Sequence, residues 1–135
     1  MRVLARAKAL ANRSGGERPI ADRLIVKSSG RVVFLRTSEI DWIEAADYYA
    51  SLHVGDRTHL LRRSLNVLER ELDPHAFCRI HRSTIVDLAR VCELAIDLNG
   101  EYEVLLESGR RLRLSRSYRE ELQKRLAGRA PSTPA

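Results

Sequence analysis

The feature that most constrains this chain is a succession of short apolar runs, rich in β-branched residues, that alternate with turn-forming residues from Leu24 to Leu114. Leu24-Ile25-Val26-Lys27 and Val32-Val33-Phe34-Leu35 flank Ser28-Ser29-Gly30-Arg31, which is the pattern of a β-hairpin. After the polar turn Thr37-Ser38-Glu39-Ile40-Asp41, the runs Trp42–Ala46 and Ala50–Val54 enclose Asp47-Tyr48-Tyr49, and Gly55-Asp56-Arg57 leads to a strand over Thr58–Arg62. Strands resume at Phe77–Ile80 and Ser83–Val86. Val91–Asp97 and Tyr102–Leu106 are joined by Leu98-Asn99-Gly100-Glu101, and Glu107-Ser108-Gly109-Arg110 opens a last strand at Arg111–Leu114. Runs this short and this often interrupted exclude a helical bundle and predict a mostly-β domain built from meanders.

Two segments depart from that rhythm. Leu65, Leu68 and Leu72 recur at three and four residues behind Ser64, a good N-cap, and Asp73-Pro74 stops the segment, so one short internal helix is expected. A second helix is expected from Ser115 or Ser117 to about Leu126, with Tyr118, Leu122 and Leu126 on one line and Ser117-Tyr118-Arg119-Glu120 fitting a capping box. Residues 1–21 read as a basic arm, helical up to Arg13 and broken at Ser14-Gly15-Gly16-Glu17-Arg18-Pro19; the compact domain is expected over 22–127 and a disordered tail over 128–135.

Several function classes are excluded or demoted by what is missing. No apolar run approaches the roughly 18 residues of a bilayer span, and Arg2, Arg6 and Lys8 interrupt the start of the chain, so a cytoplasmic protein without a membrane partner is expected. Cys78 and Cys92 form no C-x-x-C pair, and His53, His59, His75 and His81 have no zinc-site spacing, so two reduced thiols and no metal are expected. The chain has no nucleophile elbow, no phosphate-binding glycine loop and no dinucleotide fingerprint, which argues against an enzyme and implies no cofactor.

Charge placement says more than its total of +6. Residues 1–23 hold six Arg or Lys against two acids, residues 24–106 hold ten against thirteen, and residues 107–135 hold eight against three. The ends are therefore basic and the middle is not. Twenty-one of the 24 cations are Arg, whose planar fork pairs bidentately with phosphate or with the edge of guanine, although a GC-rich genome alone also produces an Arg-rich chain. The densest polar cluster, His81-Arg82-Ser83, lies between the apolar anchors Phe77–Ile80 and Thr84–Val86, and Ser115-Arg116-Ser117 lies where a strand hands over to a helix. Both placements suit base or phosphate contacts. The same residues also permit Arg79, Arg82 and Arg113 as solvated strand residues, with His81 satisfying a local carbonyl.

Four blocks carry a family resemblance: I-D-W-I-E-A-A-D-Y-Y-A-S-L-H at Ile40–His53, R-R-S-L-N-V-L-E-R-E-L at Arg62–Leu72, F-C-R-I-H-R-S-T-I-V-D-L at Phe77–Leu88, and L-R-L-S-R-S-Y at Leu112–Tyr118. In this order and spacing, over about residues 22–127, the chain resembles the LytTR family of DNA-binding domains. The resemblance implies a small mostly-β fold of about ten short strands with one internal and one C-terminal helix. It implies, further, the output half of a bacterial response regulator in a two-component system, with a receiver domain or sensor kinase as partner. By resemblance, loop side chains enter successive major grooves of duplex DNA, two copies acting on repeated sites. The implied contacts are Asp47, Tyr48 and Tyr49, then His81 and Arg82, then Arg116. Arg82 and Arg116 are the principal base or phosphate contacts, Ser83, Ser115 and Tyr118 the supporting phosphate donors, and His81 a backbone contact or an orienter of the loop. Two positions depart from the family pattern: Asp87, where Asn is frequent, and Tyr48, where a small amide is common. The alternatives are a protein-interaction module of a signalling system and a single-strand or RNA binder, the latter disfavoured by scarce aromatic residues.

Overall fold

A computed structural model describes residues 21–127, so the expected arm over 1–21, Ala21 excepted, and the expected tail over 128–135 lie outside the described residues. Ten strands are arranged in three antiparallel sheets. A hairpin of β1 (Arg23–Ser28) and β2 (Arg31–Arg36) stands alone. The central sheet contains β3 (Trp42–Ala46), β4 (Tyr49–Val54), β5 (Arg57–Leu61), β6 (Phe77–His81) and β7 (Thr84–Asp87) in the order β5-β4-β3-β7-β6. A terminal meander of β8 (Val91–Ile96), β9 (Tyr102–Leu106) and β10 (Arg111–Leu114) completes the strands. Helix α1 (Leu65–Glu71) lies between β5 and β6, and α2 (Arg116–Ala127) follows β10.

The turn chemistry accounts for most boundaries. Ser29 and Gly30 both take positive φ, 44° and 78°, which matches the twist a two-residue hairpin loop needs. Asp47, at φ 56°, opens the two-residue turn Asp47-Tyr48, a backbone that Asp tolerates better than most residues. Tyr49 is consequently the first residue of β4 and not part of the connection. Ser64 caps α1 as expected, its Oγ accepting from the Val67 N–H at 3.2 Å. The capping box expected at Ser117 is not what starts α2. That helix begins at Arg116, so Ser115 precedes it and Ser117 is already inside the first turn.

The part of the central sheet formed by β3, β7 and β6 is buried on both faces, and alternate residues of these strands divide between two cores, while β4 and β5 contribute to the first core alone. Ile43, Ala50, Leu52, Phe77 and Ile85 pack with Leu24, Val26 and Leu35 of the hairpin and with Leu65, Leu68 and Leu72 of the α1 segment. Trp42, Cys78, Ile80 and Val86 face the other way, against Val104, Leu106, Leu112 and Leu114 of the meander and Leu122 of α2. This explains why β6 and β7 read as near-continuous apolar runs, a pattern that follows from cover on both faces. Burial raises the Cys78 thiol to about 11, so it stays protonated, while Cys92 is exposed.

Helix α2 is fastened to β6 at both ends: the Ser115 N–H donates to the Ile80 carbonyl at 2.9 Å, and Arg125 Nη1 donates to the Phe77 and Pro74 carbonyls at 3.0 and 3.1 Å. Between those ties Leu122 is fully buried. Leu122→Ala is expected to destabilise the domain by about 3 kcal/mol, and Gln123→Ala, on the exposed side of the same helix, by no more than about 0.5 kcal/mol. Urea denaturation followed by Trp42 fluorescence checks both.

Candidate nucleic-acid interface

Pairing within the central sheet gathers several strand ends at one edge. Ala46 pairs with Tyr49, Glu44 with Thr84, His81 with Thr84, and Ala50 with Leu61. The Asp47-Tyr48 turn, the Arg82-Ser83 turn and the end of β5 therefore lie together. The register of β6 shifts between Arg79 and His81, so Ile80 is an extra residue opposite its partner strand. Such a bulge breaks the alternation of side chains and leaves a carbonyl outside the ladder. The Ile80 carbonyl accepts from the Ser115 N–H, which brings the start of α2 to the same edge.

Four successive carbonyls are thereby held by three different elements. Ile80 accepts from Ser115, His81 accepts from Arg79 Nε at 3.0 Å, Arg82 accepts from Arg79 Nη2, and Ser83 accepts from the Ala45 N–H at 2.9 Å. Every backbone acceptor of the turn is thus committed. Arg79 is not the solvated strand residue that the sequence permitted: it is 8% exposed, and its Nη1 also donates to Asn66 Oδ1 at 3.1 Å and Glu69 Oε1 at 2.7 Å on α1. Sequence reasoning missed it because an exposed and a buried Arg look alike in a strand. The one available signal was its alternation with Phe77, whose side chain enters the first core.

His81 does not satisfy a carbonyl. Its Nδ1 accepts from the Ser83 N–H at 3.2 Å and lies 2.9 Å from Ser83 Oγ. A backbone N–H only donates, so in the neutral ring Nδ1 is bare and the proton is on Nε2, which leaves Nε2–H as a donor for a ligand. Burial, then the cations Arg82, Arg113 and Arg79, hold the His81 pKa below its ordinary value of 6.5. Ser83 is accordingly a partner of His81 and only half-buried.

The remaining expected residues differ in how freely they are presented. Arg82 and Arg116 are exposed, and among the described residues neither guanidinium has an ion-pair or hydrogen-bond partner. Tyr48 is 80% exposed at the tip of its turn, beside exposed Asp47. Tyr49 is more covered, with the Arg62 guanidinium 6.0 Å from its ring centroid, so Arg62 joins this edge although the sequence did not single it out. Ser115 Oγ lies 3.3 Å from Ser117 Oγ. Tyr118 is half-buried against the second core, which makes it partly a packing residue. Asp87 stands apart from this edge: it caps the turn that follows β7, accepting from the Ala89 N–H at 3.0 Å, and pairs with Arg90 at 3.3 Å.

The LytTr DNA-binding domain family model matches residues 30–127. The chain belongs to the LytTR family. A solved LytTr DNA-binding domain from Bacillus cereus superposes with a TM-score of 0.70 at 24% identity, over 78% of this chain and 97% of that one, a likeness of fold. The sensory transduction protein LytT of Bacillus subtilis is 26% identical over 77% of this chain and 43% of its own length. The transcriptional regulatory protein LytR of Staphylococcus aureus is 26% identical over 74% and 41%. A response regulatory protein of Vibrio cholerae is 35% identical over 59% and 33%. This LytTR chain thus spans less than half the length of the curated relatives it matches.

The His81 geometry sets a pH dependence for the LytTR domain. A histidine whose folded pKa is depressed is protonated first in the unfolded chain, so its contribution to stability is intact above the ordinary 6.5 and is lost as pH falls from there toward the lower folded value. Melting curves from about pH 8 to about pH 5 are expected to show a smaller acid-side loss in His81→Gln than in the parent chain. An imidazole NMR titration is expected to place His81 below 6.5.

Proposed function

We propose that this chain binds duplex DNA in a sequence-specific way and serves as the output domain of a transcription regulator. The observation that carries this reading is the pair Arg82 and Arg116, two unpartnered guanidinium groups mounted on segments that are hydrogen-bonded to one another through Ile80 and Ser115. A free fork on a fixed base is what guanine or phosphate recognition requires. In this reading Arg82 and Arg116 supply the principal contacts. Nε2–H of His81, together with the hydroxyls of Ser83, Ser115 and Tyr118, adds backbone contacts. The Asp47-Tyr48 turn, with Tyr49 at the start of β4, adds further contacts, Tyr48 replacing an amide by a ring.

In this reading the loop side chains contact successive major grooves of the duplex, and two copies act on sites repeated at about one-helical-turn spacing. Affinity comes mainly from the cations and falls with salt; discrimination comes from the turns. The relatives' names as sensory transduction and response regulatory proteins support a cytoplasmic two-component setting, with a receiver domain or sensor kinase supplying the input. No helix among the described residues is long and apolar enough to cross a membrane.

A protein-interaction role has one observation in its favour. Ile25, Val32 and Phe34 are exposed on one face of the β1–β2 hairpin, which forms a sheet separate from the one that carries Arg82. The two readings separate in one experiment, selection from a random duplex pool at near-physiological salt. The parent chain is expected to recover a short repeated motif, and Arg82→Ala/Arg116→Ala to recover none. Each single substitution is expected to weaken motif binding by about 5- to 150-fold, the range that a loss of 1–3 kcal/mol per base contact gives, with little change in melting temperature. Recovery of no motif by either chain, with binding that vanishes as salt rises, favours the interaction module, and a motif retained by the double variant overturns the assignment of Arg82 and Arg116.

A further inference from the structure

We infer that Arg79 is a positioning residue of the DNA-reading turn: buried behind it, the guanidinium ties the His81 and Arg82 carbonyls to Asn66 and Glu69 of α1. The inference rests on the duplex-DNA reading above and concerns what gives that site its sequence discrimination.

The geometry supports this in three ways. Arg79 is only 8% exposed, so it is not available as a phosphate contact. Its N–H groups serve four acceptors on two sides, the Nε–H and Nη2–H groups on successive carbonyls of the turn and Nη1–H on Asn66 Oδ1 and Glu69 Oε1. Only a planar fork has donors at those fixed angles; an ammonium group carries the same charge without them. Finally, the residue whose carbonyl is gripped is Arg82 itself, so the grip fixes the peptide plane from which the reading side chain departs.

A buried cation is tolerated when a carboxylate neutralises it and its donors are satisfied. Glu69 does the first, and the two carbonyls with Asn66 do the second. The position of α1 against the sheet is thereby linked to the shape of the turn. A turn held in its bound form loses less freedom on binding, and that gain is realised only where the turn fits the groove. Nonspecific attraction depends on surface charge, which Arg79 scarcely presents.

The test uses the full chain and its Arg79→Lys, Asn66→Ala and Glu69→Gln variants, each measured on the selected motif duplex and on a scrambled duplex of equal length and salt. Arg79→Lys is expected to lower the motif-to-scrambled affinity ratio by roughly tenfold or more, with scrambled-duplex binding nearly unchanged. Glu69→Gln and Asn66→Ala are expected to lower it less, in the same direction, and they carry the test if Arg79→Lys does not fold. An unchanged ratio in folded variants overturns the inference, and so does an equal loss on both duplexes, which would make Arg79 a phosphate contact. Backbone ¹⁵N relaxation of Arg82 and Ser83 without DNA separates this from failure of the binding reading. If the parent recovers no motif yet the turn becomes mobile in the variants, the DNA reading fails and the positioning role stands. If the turn stays equally ordered, the positioning role fails.

Discussion

The interface depends on one irregularity, the bulge at Ile80 in β6. Without the extra residue, the Ile80 carbonyl would point into the sheet ladder and the start of α2 would have no acceptor there. With it, the four carbonyls from Ile80 to Ser83 are free to be taken by Ser115, Arg79 and Ala45, so the start of α2, β3 and, through Arg79, α1 converge on one turn. Unpaired backbone acceptors at a surface turn would otherwise be met by water, and a turn solvated in that way has several conformations of similar energy. Here each acceptor has a protein donor. The segments that carry Arg82, Arg116 and Tyr48 cannot then shift independently.

That arrangement is possible because β3, β7 and β6 are covered on both faces. Trp42 and Ile43, Phe77 and Cys78, Ile85 and Val86 are consecutive pairs that send one side chain to each core. The strand ends are consequently fixed from both sides, by the hairpin and α1 on one and by the meander and α2 on the other. Mobility of the interface is reduced to the side chains themselves. This differs from a helix laid in a groove, where a single rigid element carries all the contacts. In the proposed reading through turns, the same rigidity comes from cross-bracing.

Much of the fold was legible because turn chemistry and periodicity are local. Ser29-Gly30, Ser64 and the Leu65, Leu68, Leu72 stripe behave as their sequence implies, since their conformations are decided within a few residues. What escaped is decided by residues far apart in the chain. The burial of Arg79 depends on Asn66 and Glu69, which lie 13 and 10 positions away, and the start of α2 depends on Ile80. Local pattern left Ser115 and Ser117 both open as the cap; the helix begins at Arg116, directly behind Ser115 and two residues ahead of where a Ser117 cap would start it, and the bond from Ser115 to Ile80 lies at that start. His81 was ambiguous for a similar reason: only the geometry of its own turn shows that Nδ1 accepts and Nε2 donates.

The electrostatics of the edge then divide into two kinds of cation. Arg79 is neutralised internally by Glu69, and Arg113 is paired with Glu101, so neither offers its full charge to a ligand. Arg82 and Arg116 are left uncompensated; burial first, then Arg82, Arg113 and Arg79, hold His81 toward its neutral form. A polyanion placed at this edge reverses that field, because phosphate charge favours the imidazolium that the arginines disfavour. Protonation would cost the Nδ1 acceptor its bond from Ser83, so the neutral ring and the ordered turn belong to the same state. Arg82 is thus both an uncompensated cation of this edge and one of the groups that keep His81 in the form its turn requires.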